Sequence, residues 1–298
     1  MKRALVTGAT GFIGSHVART LREHGWDVSL IVRPNSQKPA DLSGFRFLEH
    51  DGSTQNLIAI VKEARPDAVF HLASLFLASH TPNDIERLIT SNVLFSTQLL
   101  EAMSEAGVTK LVNTGTSWQH FLSESKEFHP VNLYAATKSA FEAILQWYVE
   151  AKNFSVIDLK LYDTYGPGDA RPKLIQLLFK TLQTNSPLSM SPGEQKIDLV
   201  YIDDVVDAFV KAGELALQAS PKTLESFVVS SGHPLSIQDL VATLNRVAGR
   251  AAPVTFGGRP YRDREVMIPW KIGRSLPGWR PKINLEVGLR RILESYAE

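Results

Sequence analysis

The sequence predicts an α/β protein built on a doubly wound parallel sheet with a smaller C-terminal lobe. Three features indicate this: a glycine-rich turn after the first short apolar run, strand-like and helix-like segments that alternate through the first half of the chain, and more glycine and proline from Gly166 onward. With 298 residues, the chain is long enough for one elaborate domain or for two lobes. We expect residues 1–165 and about 197–220 to form the sheet domain, and residues 166–196 and about 221–298 to form the second lobe.

The composition excludes several classes of protein. The chain has 32 basic and 31 acidic residues, a formal net charge of +1, and no long basic run, so neither nucleic acid nor an anionic membrane is an expected partner. It has no cysteine, which excludes disulfides, thiolate catalysis and zinc–sulfur sites, and we expect no bound metal. We find no signal-peptide pattern and no apolar run near the roughly 20 residues that cross a bilayer. These observations favour a cytoplasmic protein.

The first candidate site is the glycine-rich segment at residues 7–14. It follows the apolar run at residues 3–6 and precedes apolar residues at helical spacing, so it lies at a strand-to-helix turn. Gly8 permits the tight turn, Gly11 allows a pyrophosphate to approach closely, and Gly14 lets the helix pack on the sheet. The start of the helix offers unpaired N–H groups to the phosphates. The predicted dinucleotide-binding residues of this segment are Gly8, Gly11, Phe12, Ile13 and Gly14.

The residue at the end of the second predicted strand indicates whether NADP or NAD is preferred. The buried-type run at residues 27–32 ends at Arg33, at the position that faces the adenosine ribose in a Rossmann unit. A guanidinium there suits a 2′-phosphate, and Ser36 and Lys38 are close enough in sequence to assist. We therefore expect NADP(H) to be preferred, with NAD(H) possible. The alternative is that Arg33 is an ordinary solvated arginine.

The next two strands end in further candidate residues. After residues 45–50, Asp51 and Gly52 form a turn, where the carboxylate either accepts a hydrogen bond from the adenine amino group or caps the helix that begins near Thr54. The strand at residues 67–74 ends in small side chains, which allow the backbone to approach the cofactor. The predicted cofactor-facing residues here are Asp51, Gly52, Leu72 and Ala73. His71 lies inside the apolar run and is expected to be a core histidine.

The candidate catalytic residues follow the fifth strand. That strand, at residues 110–114, leads to Thr116 and Ser117, and the next helix begins with Tyr134 and Lys138. Positions i and i+4 share one face of a helix, so the phenol and the ammonium point the same way. The lysine cation, together with a positively charged nicotinamide, is expected to favour the phenolate and to bring the tyrosine towards neutral pH.

The chain resembles the extended short-chain dehydrogenase/reductases, and among them the nucleotide-sugar epimerases, dehydratases and 4-ketoreductases. The resemblance covers almost the full length, and the motifs that carry it are residues 7–14, 51–52, 70–73, 91–93, 134–138, 165–168, 200–205 and 277–281. It implies a Rossmann domain followed by a substrate-binding lobe. It also implies that Thr116 is the catalytic hydroxyl, with Ser117 its neighbour, that Tyr134 exchanges the proton, that Lys138 supports Tyr134, and that Asn92 lies near the cofactor.

The resemblance also implies substrate-binding residues. Arg262 corresponds to an arginine that clamps the sugar diphosphate, and Arg171 and Lys173 follow the Gly-Pro-Gly turn and add positive charge. Asp163 stands where the family has an asparagine that faces the substrate. The 4,6-dehydratases usually have an Asp-Glu pair after the catalytic threonine, and this chain has Ser117 and Trp118 there, which disfavours dehydration. The substrate-binding candidates are Ser117, Asp163, Lys173 and Arg262.

Together these features predict an NADPH-dependent reductase of a nucleoside-diphosphate 4-keto-6-deoxy sugar in deoxyhexose biosynthesis. The alternative within the family is a nucleotide-sugar 4-epimerase with tightly bound NAD. A non-catalytic NAD(P)-binding sensor or scaffold is the alternative of another class, and the complete set of catalytic residues argues against it. By the same resemblance we expect a homodimer formed through the helices at residues 84–106 and 135–151.

Overall fold

A seven-stranded parallel sheet forms the centre of the protein. The computed structural model describes residues 1–296, and within them every neighbouring pair of strands in this sheet is parallel. The strands are β1 (Arg3–Thr7), β2 (Asp27–Val32), β3 (Arg46–Glu49), β4 (Ala68–His71), β5 (Lys110–Thr116), β6 (Ser155–Leu161) and β11 (Thr223–Val229). Their order in the sheet is β11-β6-β5-β4-β1-β2-β3. The predicted fold class is confirmed.

Helices cover both faces of this sheet. The two faces have separate apolar cores, one containing Val17 and Phe209 and the other containing Leu57, Leu99 and Phe141. The helices that contribute these residues are α1 (Phe12–Glu23), α2 (Thr54–Ala64), α4 (Phe95–Glu105), α5 (Leu133–Lys152) and α7 (Ile202–Gln218). Buried helices on both faces are what a parallel sheet requires, since its strands are apolar on both sides.

The strand order fixes the position of the binding crevice. From β1 the chain winds outward to β2 and β3, and after β3 it crosses to β4 on the other side of β1. Ligands of open α/β sheets bind outside the carboxyl ends of the strands at such a reversal of direction. The crevice is therefore expected beside Thr7 at the end of β1 and His71 at the end of β4.

The long helical segment after β4 is interrupted. The structure has α3 (Ile85–Ile89), a π-helical turn at Thr90–Leu94, and then α4, where the sequence predicts one helix over residues 84–106. Wide turns of this kind inside helices are frequent at functional sites. The turn contains Asn92, whose contacts are described below.

The remaining elements are short strand pairs and helices. They are β7 (Asp163–Tyr165), α6 (Leu174–Thr184), β8 (Leu188–Ser189), β9 (Lys196–Ile197), β10 (Leu199–Tyr201), β12 (Leu235–Ser236), α8 (Ile237–Ala248), β13 (Val254–Thr255) and α9 (Leu285–Ser295). Residues from about 221 to 298 are expected in the second lobe, whereas β11 is an edge strand of the main sheet. The division into two lobes otherwise stays a prediction. No helix among residues 1–296 has the length and apolar character needed to cross a membrane.

Candidate active site

The glycine-rich turn packs three backbone segments closely together. Gly8 has a φ of 73°, in the left-handed region that favours glycine, and a Cβ there would lie 2.6 Å from the backbone nitrogen of Ala73. A Cβ on Gly14 would lie 2.1 Å from the carbonyl oxygen of Gly8. These two glycines therefore bring the end of β1, the start of α1 and the segment after β4 into direct contact.

Gly11 differs from these two glycines, because it lines the crevice and a Cβ there would be only loosely surrounded. A Cβ there would meet only the carbonyl oxygen of Gly8, at 3.3 Å. Gly11 is also the N-cap of α1, and among residues 1–296 no side chain caps the first N–H groups of this helix. Unpaired N–H donors at a helix start, with no Cβ in front of them, fit a pyrophosphate. The residues present therefore fit a dinucleotide.

Thr116, Tyr134 and Lys138 line one cavity of 190 Å³ together with Gly8, Gly11 and Gly14. Thr116 is the last residue of β5, and the other two lie on the first turns of α5. Asn132 fixes the start of α5: its Oδ1 accepts a hydrogen bond from the Ala135 N–H at 2.9 Å. The structure thus brings the three predicted catalytic residues to the glycine-rich turn. The cavity also contains Phe12, Ile13, Leu72, Ser117, Asp163 and Lys173 from the predicted set.

Lys138 is almost fully buried, and its Nζ donates a hydrogen bond to the carbonyl oxygen of Thr114 at 3.0 Å. Burial lowers the pKa of Lys138 to about 8, with a further lowering from the charge of Lys160 that is opposed by Asp158. The ammonium form is therefore the main one at neutral pH and is lost above about pH 8.

We expect the affinity for a nicotinamide dinucleotide to fall as pH rises through this pKa. The lysine is a cation below pH 8 and neutral above it, so its attraction to the ribose and phosphates weakens on the alkaline side. Titration of NADH and NADPH binding between pH 6 and pH 10 should show a weakening that begins near pH 8 and levels off at the affinity of the protein with a neutral lysine. Lys138→Met should bind more weakly at neutral pH and show no such alkaline weakening. A wild-type affinity that stays constant over the whole range would contradict this role of Lys138.

We expected Lys138 and the nicotinamide to bring the pKa of Tyr134 towards neutral pH. In the protein without a cofactor, the pKa of Tyr134 is raised. Burial raises the pKa of Tyr134 to about 12, a hydrogen bond to Ser74 and the charge of Arg171 lower it, and the charge of Asp163 raises it. Lys138 instead donates its hydrogen bond to Thr114. The physical reason is that crowding around the phenol disfavours its anion more than the neighbouring charges favour it. Tyr134 is therefore protonated at neutral pH, as a proton donor must be.

Thr116 begins a short turn at Ser117–Gln119. Its Oγ1 accepts a hydrogen bond from the Trp118 N–H at 3.3 Å, and its own N–H donates to Oε1 of Gln119 at 3.0 Å. Among residues 1–296, the hydroxyl hydrogen of Thr116 has no acceptor. A hydroxyl that accepts from the backbone and keeps its hydrogen can donate it to a substrate oxygen.

A buried cluster of charged residues fixes the Ser117–Gln119 turn through the side chain of Gln119. Lys160 has 2% of its side chain exposed and pairs with Asp158 at 3.0 Å and with Glu142. It also donates to Oε1 of Gln119 at 3.0 Å, the atom that accepts the Thr116 N–H. Asn113 donates to Asp158 at 2.7 Å. We call Asp158, Lys160, Glu142 and Gln119 the buried cluster.

A second cavity of 440 Å³ adjoins the first and contains the other substrate-binding candidates. Ser117, Asp163 and Lys173 line both cavities, and Arg262 lines the second one only. The Lys173 ammonium lies 3.5 Å from the Asp163 carboxylate, and 5.1 Å from the centre of the Phe76 ring. The structure thus places all four predicted substrate-binding residues in one continuous space.

The predicted adenosine-binding residues lie outside these two cavities, at the ends of β2 and β3. The Ser36 N–H donates to the Arg33 carbonyl at 3.1 Å, and Asn35 between them has a φ of 60°. This tight turn brings Arg33 and Ser36 together, whereas Lys38 pairs with Glu49 at 3.3 Å. Arg33 is exposed.

Asp51 and Gly52 are exposed beside the start of α2. The idea that Asp51 caps α2 is wrong: Ser53 is the N-cap, since its Oγ accepts the Asn56 N–H at 3.2 Å. Asp51 instead accepts the Ser53 N–H at 2.8 Å, and the hydrogen bonds from Ser53 lower the pKa of Asp51. The carboxylate is thus ionised at neutral pH and is held at the strand end.

Asn92 does not line the cavity, although it was expected near the cofactor. It is 1% exposed and makes four hydrogen bonds: its Oδ1 accepts from the Leu75 N–H at 2.7 Å and from the Ser74 hydroxyl at 3.2 Å, and its Nδ2 donates to the Leu75 carbonyl and the Thr137 hydroxyl, both at 3.0 Å. Its amide is fully used in joining the segment after β4 to α5. Asn92 therefore holds Ser74, which lines the cavity, from a position outside the cavity.

His71 is a core histidine, as the sequence predicts. It is fully buried between the hydroxyls of Thr7 and Ser96, each 2.8 Å from a ring nitrogen. Burial lowers the pKa of His71 to about 3. The ring is therefore neutral and structural.

Some residues of the cavity were missed in the sequence analysis or assigned elsewhere. Ser74 and Phe76 follow β4, and the Phe76 ring meets the Tyr134 ring edge-on at 5.0 Å between centres. Arg171, which the sequence analysis places with the substrate diphosphate, lies over the Phe12 ring at 4.9 Å. The only sequence signal for Ser74 and Phe76 was their position just after a strand that ends in the crevice.

Comparison with known proteins places these residues within a family. A model of the NAD dependent epimerase/dehydratase family matches residues 4–224. The CDP-abequose synthase of Salmonella typhimurium is 26% identical over 97% of this chain and 97% of its own length. The UDP-glucose 4-epimerase of Mycolicibacterium smegmatis is 28% identical over 99% of this chain and 98% of its own.

A solved structure agrees with this result. The crystal structure of the UDP-glucose 4-epimerase of Thermotoga maritima with UDP-glucose superposes with a TM-score of 0.84 at 26% identity, covering 99% of this chain and 98% of that one. The match therefore extends over the sheet and over the elements that surround the second cavity.

Proposed function

Because the chain belongs to the NAD dependent epimerase/dehydratase family, we propose that it is an NADPH-dependent reductase of a nucleoside-diphosphate 4-keto-6-deoxy sugar. The observation that carries this proposal is the meeting of Thr116, Tyr134 and Lys138 in one cavity with the glycine-rich turn. The raised pKa of Tyr134 supports reduction, because a carbonyl that gains a hydride also needs a proton.

Each residue has a distinct part in this reaction. When bound, NADPH supplies the hydride. Tyr134 donates the phenolic proton to the developing alkoxide, and the free hydrogen of the Thr116 hydroxyl stabilises the same oxygen. Lys138 holds a positive charge beside them and is oriented by the Thr114 carbonyl. Two donors aimed at one oxygen favour the product-like charge over the neutral ketone.

The side chains beside Thr116 argue against dehydration. Eliminating water needs an additional acid and base near the sugar, and the positions after Thr116 are Ser117 and Trp118. The Trp118 ring instead contacts the Phe76 ring, with centres 5.6 Å apart. Such an aromatic surface suits the apolar side of a 6-deoxy sugar. A CDP-abequose synthase among the relatives agrees with a deoxysugar nucleotide as substrate.

The proposal is tested by supplying the substrate class directly. The protein is incubated with NADPH and 4-keto-6-deoxyglucose linked to CDP, dTDP, UDP or GDP, and NADPH absorbance is followed. We expect oxidation with at least one of these nucleotides and a product reduced at C4. No NADPH oxidation with the whole panel would reject the reductase assignment.

We expect Arg33→Ala to weaken NADPH far more than NADH. In this proposal the Arg33 guanidinium and the Ser36 hydroxyl bind the 2′-phosphate, which only NADPH carries, and the backbone hydrogen bond between the two residues keeps them on one turn. The loss of one charge-assisted contact should weaken NADPH binding by about 10–100-fold and NADH binding by less than about 3-fold, measured by fluorescence titration. Arg3→Ala is a matched control, since Arg3 pairs with Asp67 away from the crevice. Equal losses for NADPH and NADH would remove the preference for NADP.

A nucleotide-sugar 4-epimerase is the second candidate, because UDP-glucose 4-epimerases are among the similar proteins. The two functions differ in how they use the cofactor: an epimerase recycles NAD, and a reductase consumes NADPH. Mass spectrometry of the denatured purified protein, together with an assay with UDP-glucose and no added cofactor, separates them. Retained NAD and conversion of UDP-glucose without NADPH would favour the epimerase.

The oligomeric state proposed is a homodimer formed through α3, α4 and α5. Large apolar side chains are exposed on this surface: Ile85, Ile89 and Leu94 on the α3–α4 segment and Trp147 on α5, which is 53% exposed. Exposed large apolar side chains on neighbouring helices suit a protein interface. Light scattering after size exclusion should give a dimer mass for the wild type and a monomer mass for the double variant Leu94→Glu, Trp147→Glu. A monomeric wild type would contradict the proposal.

A further inference from the structure

We propose that Arg171 holds the cofactor pyrophosphate from the side opposite the glycine-rich turn, as the second half of the phosphate-binding site. This assigns Arg171 to the dinucleotide, whereas the sequence analysis places it with the substrate diphosphate. The inference rests on the cofactor part of the proposed function and is independent of the sugar.

The position of Arg171 is the first argument. It lies in the segment between β7 and α6, and its guanidinium covers the Phe12 ring at 4.9 Å from the ring centre. Phe12 is the first residue of α1 and directly follows Gly11. The guanidinium therefore lies above the start of the helix whose N–H groups have no side-chain cap.

The surrounding space is the second argument. Arg171 lines the catalytic cavity and also a separate open groove bordered by Thr10, Ser15, Arg19 and Asp41. The residues common to both spaces are Gly11, Phe12 and Arg171. A dinucleotide that extends from the ends of β2 and β3 to Tyr134 has to pass the start of α1, because its pyrophosphate links the two nucleosides. At that point Gly11 and Phe12 form one wall and Arg171 forms the other.

The hydrogen bonds of Arg171 are the third argument. Its Nε and Nη2 donate to the two carboxylate oxygens of Asp169 at 2.7 and 2.8 Å, and Nη2 also donates to the Thr164 carbonyl at 3.2 Å. The Asp169 side chain is fully buried, and the Arg171 side chain remains 31% exposed. Within residues 1–296, Nη1 has no acceptor. The fork is thus fixed in place by three hydrogen bonds while two N–H donors remain for a ligand.

The charge of Arg171 also reaches the reacting groups. It is one of the charges that lower the pKa of Tyr134, and Arg171, Phe12 and Tyr134 line the same cavity. An oriented guanidinium suits pyrophosphate oxygens, because its N–H donors have fixed directions and are less strongly hydrated than an ammonium. Asp169 is therefore a positioning residue for Arg171, since a buried carboxylate fixes the fork before the ligand arrives.

The test measures cofactor binding without any sugar. Arg171→Met keeps an apolar stem over Phe12 and removes all donors. We expect it to weaken NADPH and NADH by the same factor, about 10–100-fold by fluorescence titration, because both cofactors carry the pyrophosphate. This equal loss distinguishes Arg171 from Arg33, which is expected to affect NADPH alone. Arg171→Lys should recover only part of the affinity, since a lysine has no fork.

The matched control is Arg19→Met. Arg19 lines the same groove, but its guanidinium is paired with Asp41 at 2.5 Å, so its loss should change either affinity by less than about 3-fold. Thermal unfolding of each variant establishes that it is folded, and Arg171→Lys serves if Arg171→Met is not. Unchanged affinity for NADPH and NADH in a folded Arg171 variant would overturn the inference. It would also be overturned if CDP and UDP binding weakened while cofactor binding did not, since that would assign Arg171 to the substrate.

Failure here and failure of the proposed function are separate. If the wild type binds NADPH but reduces no ketosugar, the reductase assignment is rejected, and the titrations still test the role of Arg171. If the wild type reduces a ketosugar and Arg171→Met binds the cofactor as tightly as the wild type, only the role of Arg171 is rejected.

Discussion

Tyr134→Phe should reduce the rate of ketosugar reduction by about 1,000-fold or more while NADPH affinity changes by less than about 3-fold. The phenol is the proton donor in the proposed reaction, and losing a general acid typically removes a factor of about 100 to 10,000. The ring of the variant still packs against Phe76, so the cavity keeps its shape. Pre-steady-state absorbance of bound NADPH measures the hydride-transfer step directly.

Tyr148→Phe is the matched control for this prediction. Tyr148 is on the same helix, α5, but its hydroxyl donates to Glu101 at 2.7 Å and does not line either cavity. Its removal should leave the rate of hydride transfer within about 2-fold of the wild type, with a modest loss of stability of about 1 kcal/mol. Full activity of Tyr134→Phe would remove the tyrosine from the mechanism.

Lys160→Met should lower the free energy of unfolding by about 3–5 kcal/mol, the largest stability effect that we expect from a single substitution. The variant leaves Asp158 and Glu142 buried without the cation that lies between them. The corresponding fall in melting temperature is roughly 6–15 °C, measurable by calorimetry. The turn of Thr116 should also lose order, because Gln119 loses the lysine that fixes its amide.

The sign of the pH dependence provides a second measurement of this cluster. Burial raises the pKa of Glu142, and losing Lys160 raises it further. A carboxyl whose folded pKa lies above its unfolded value costs stability at higher pH and stops doing so once it is protonated in both states. The penalty of Lys160→Met should therefore be smaller at pH 5 than at pH 8.

Two variants control for loss of a lysine and for loss of charge. Lys110→Met removes a lysine from the start of β5, where the Nζ donates to the Ser155 hydroxyl at 3.2 Å and to the Ala219 carbonyl, and it should cost about 1–2 kcal/mol. The double variant Lys160→Met, Glu142→Gln should recover part of the loss, because a glutamine needs no counter-charge. A single variant with wild-type stability at pH 8 would show that the cluster contributes nothing to the fold.

The sequence predicts best what depends on local backbone requirements. The glycine-rich turn, the alternation of strands and helices and the i, i+4 pair at Tyr134 and Lys138 follow from chain geometry over a few residues, and these are the features that the structure brings together. His71 could likewise be assigned to the core, because it lies within an uninterrupted apolar run. The family and the fold were predictable for the same reason: they depend on the order of such segments.

What the sequence did not reveal depends on contacts between distant segments. The pKa of Tyr134 is set by crowding from residues on other elements, and the pairing of Lys160 with Glu142 joins β6 to α5. The strand at Thr223–Val229 belongs to the main sheet because of its pairing with β6, which no local pattern indicates. No local pattern indicates that the Arg171 side chain lies over the Phe12 ring, because these two residues are distant in sequence.

The backbone-to-backbone contact of Gly8, Gly14 and Ala73 bears on how this protein can diversify. Three main-chain segments touch here without side chains between them, so a larger residue at either glycine would collide with backbone atoms. A substitution at this turn would therefore require the backbone to move. The walls of the second cavity are side chains such as Trp118, Trp270 and Arg262. Descendants with different sugar preferences should therefore differ mainly at those walls, and attempts at directed evolution would best randomise them first.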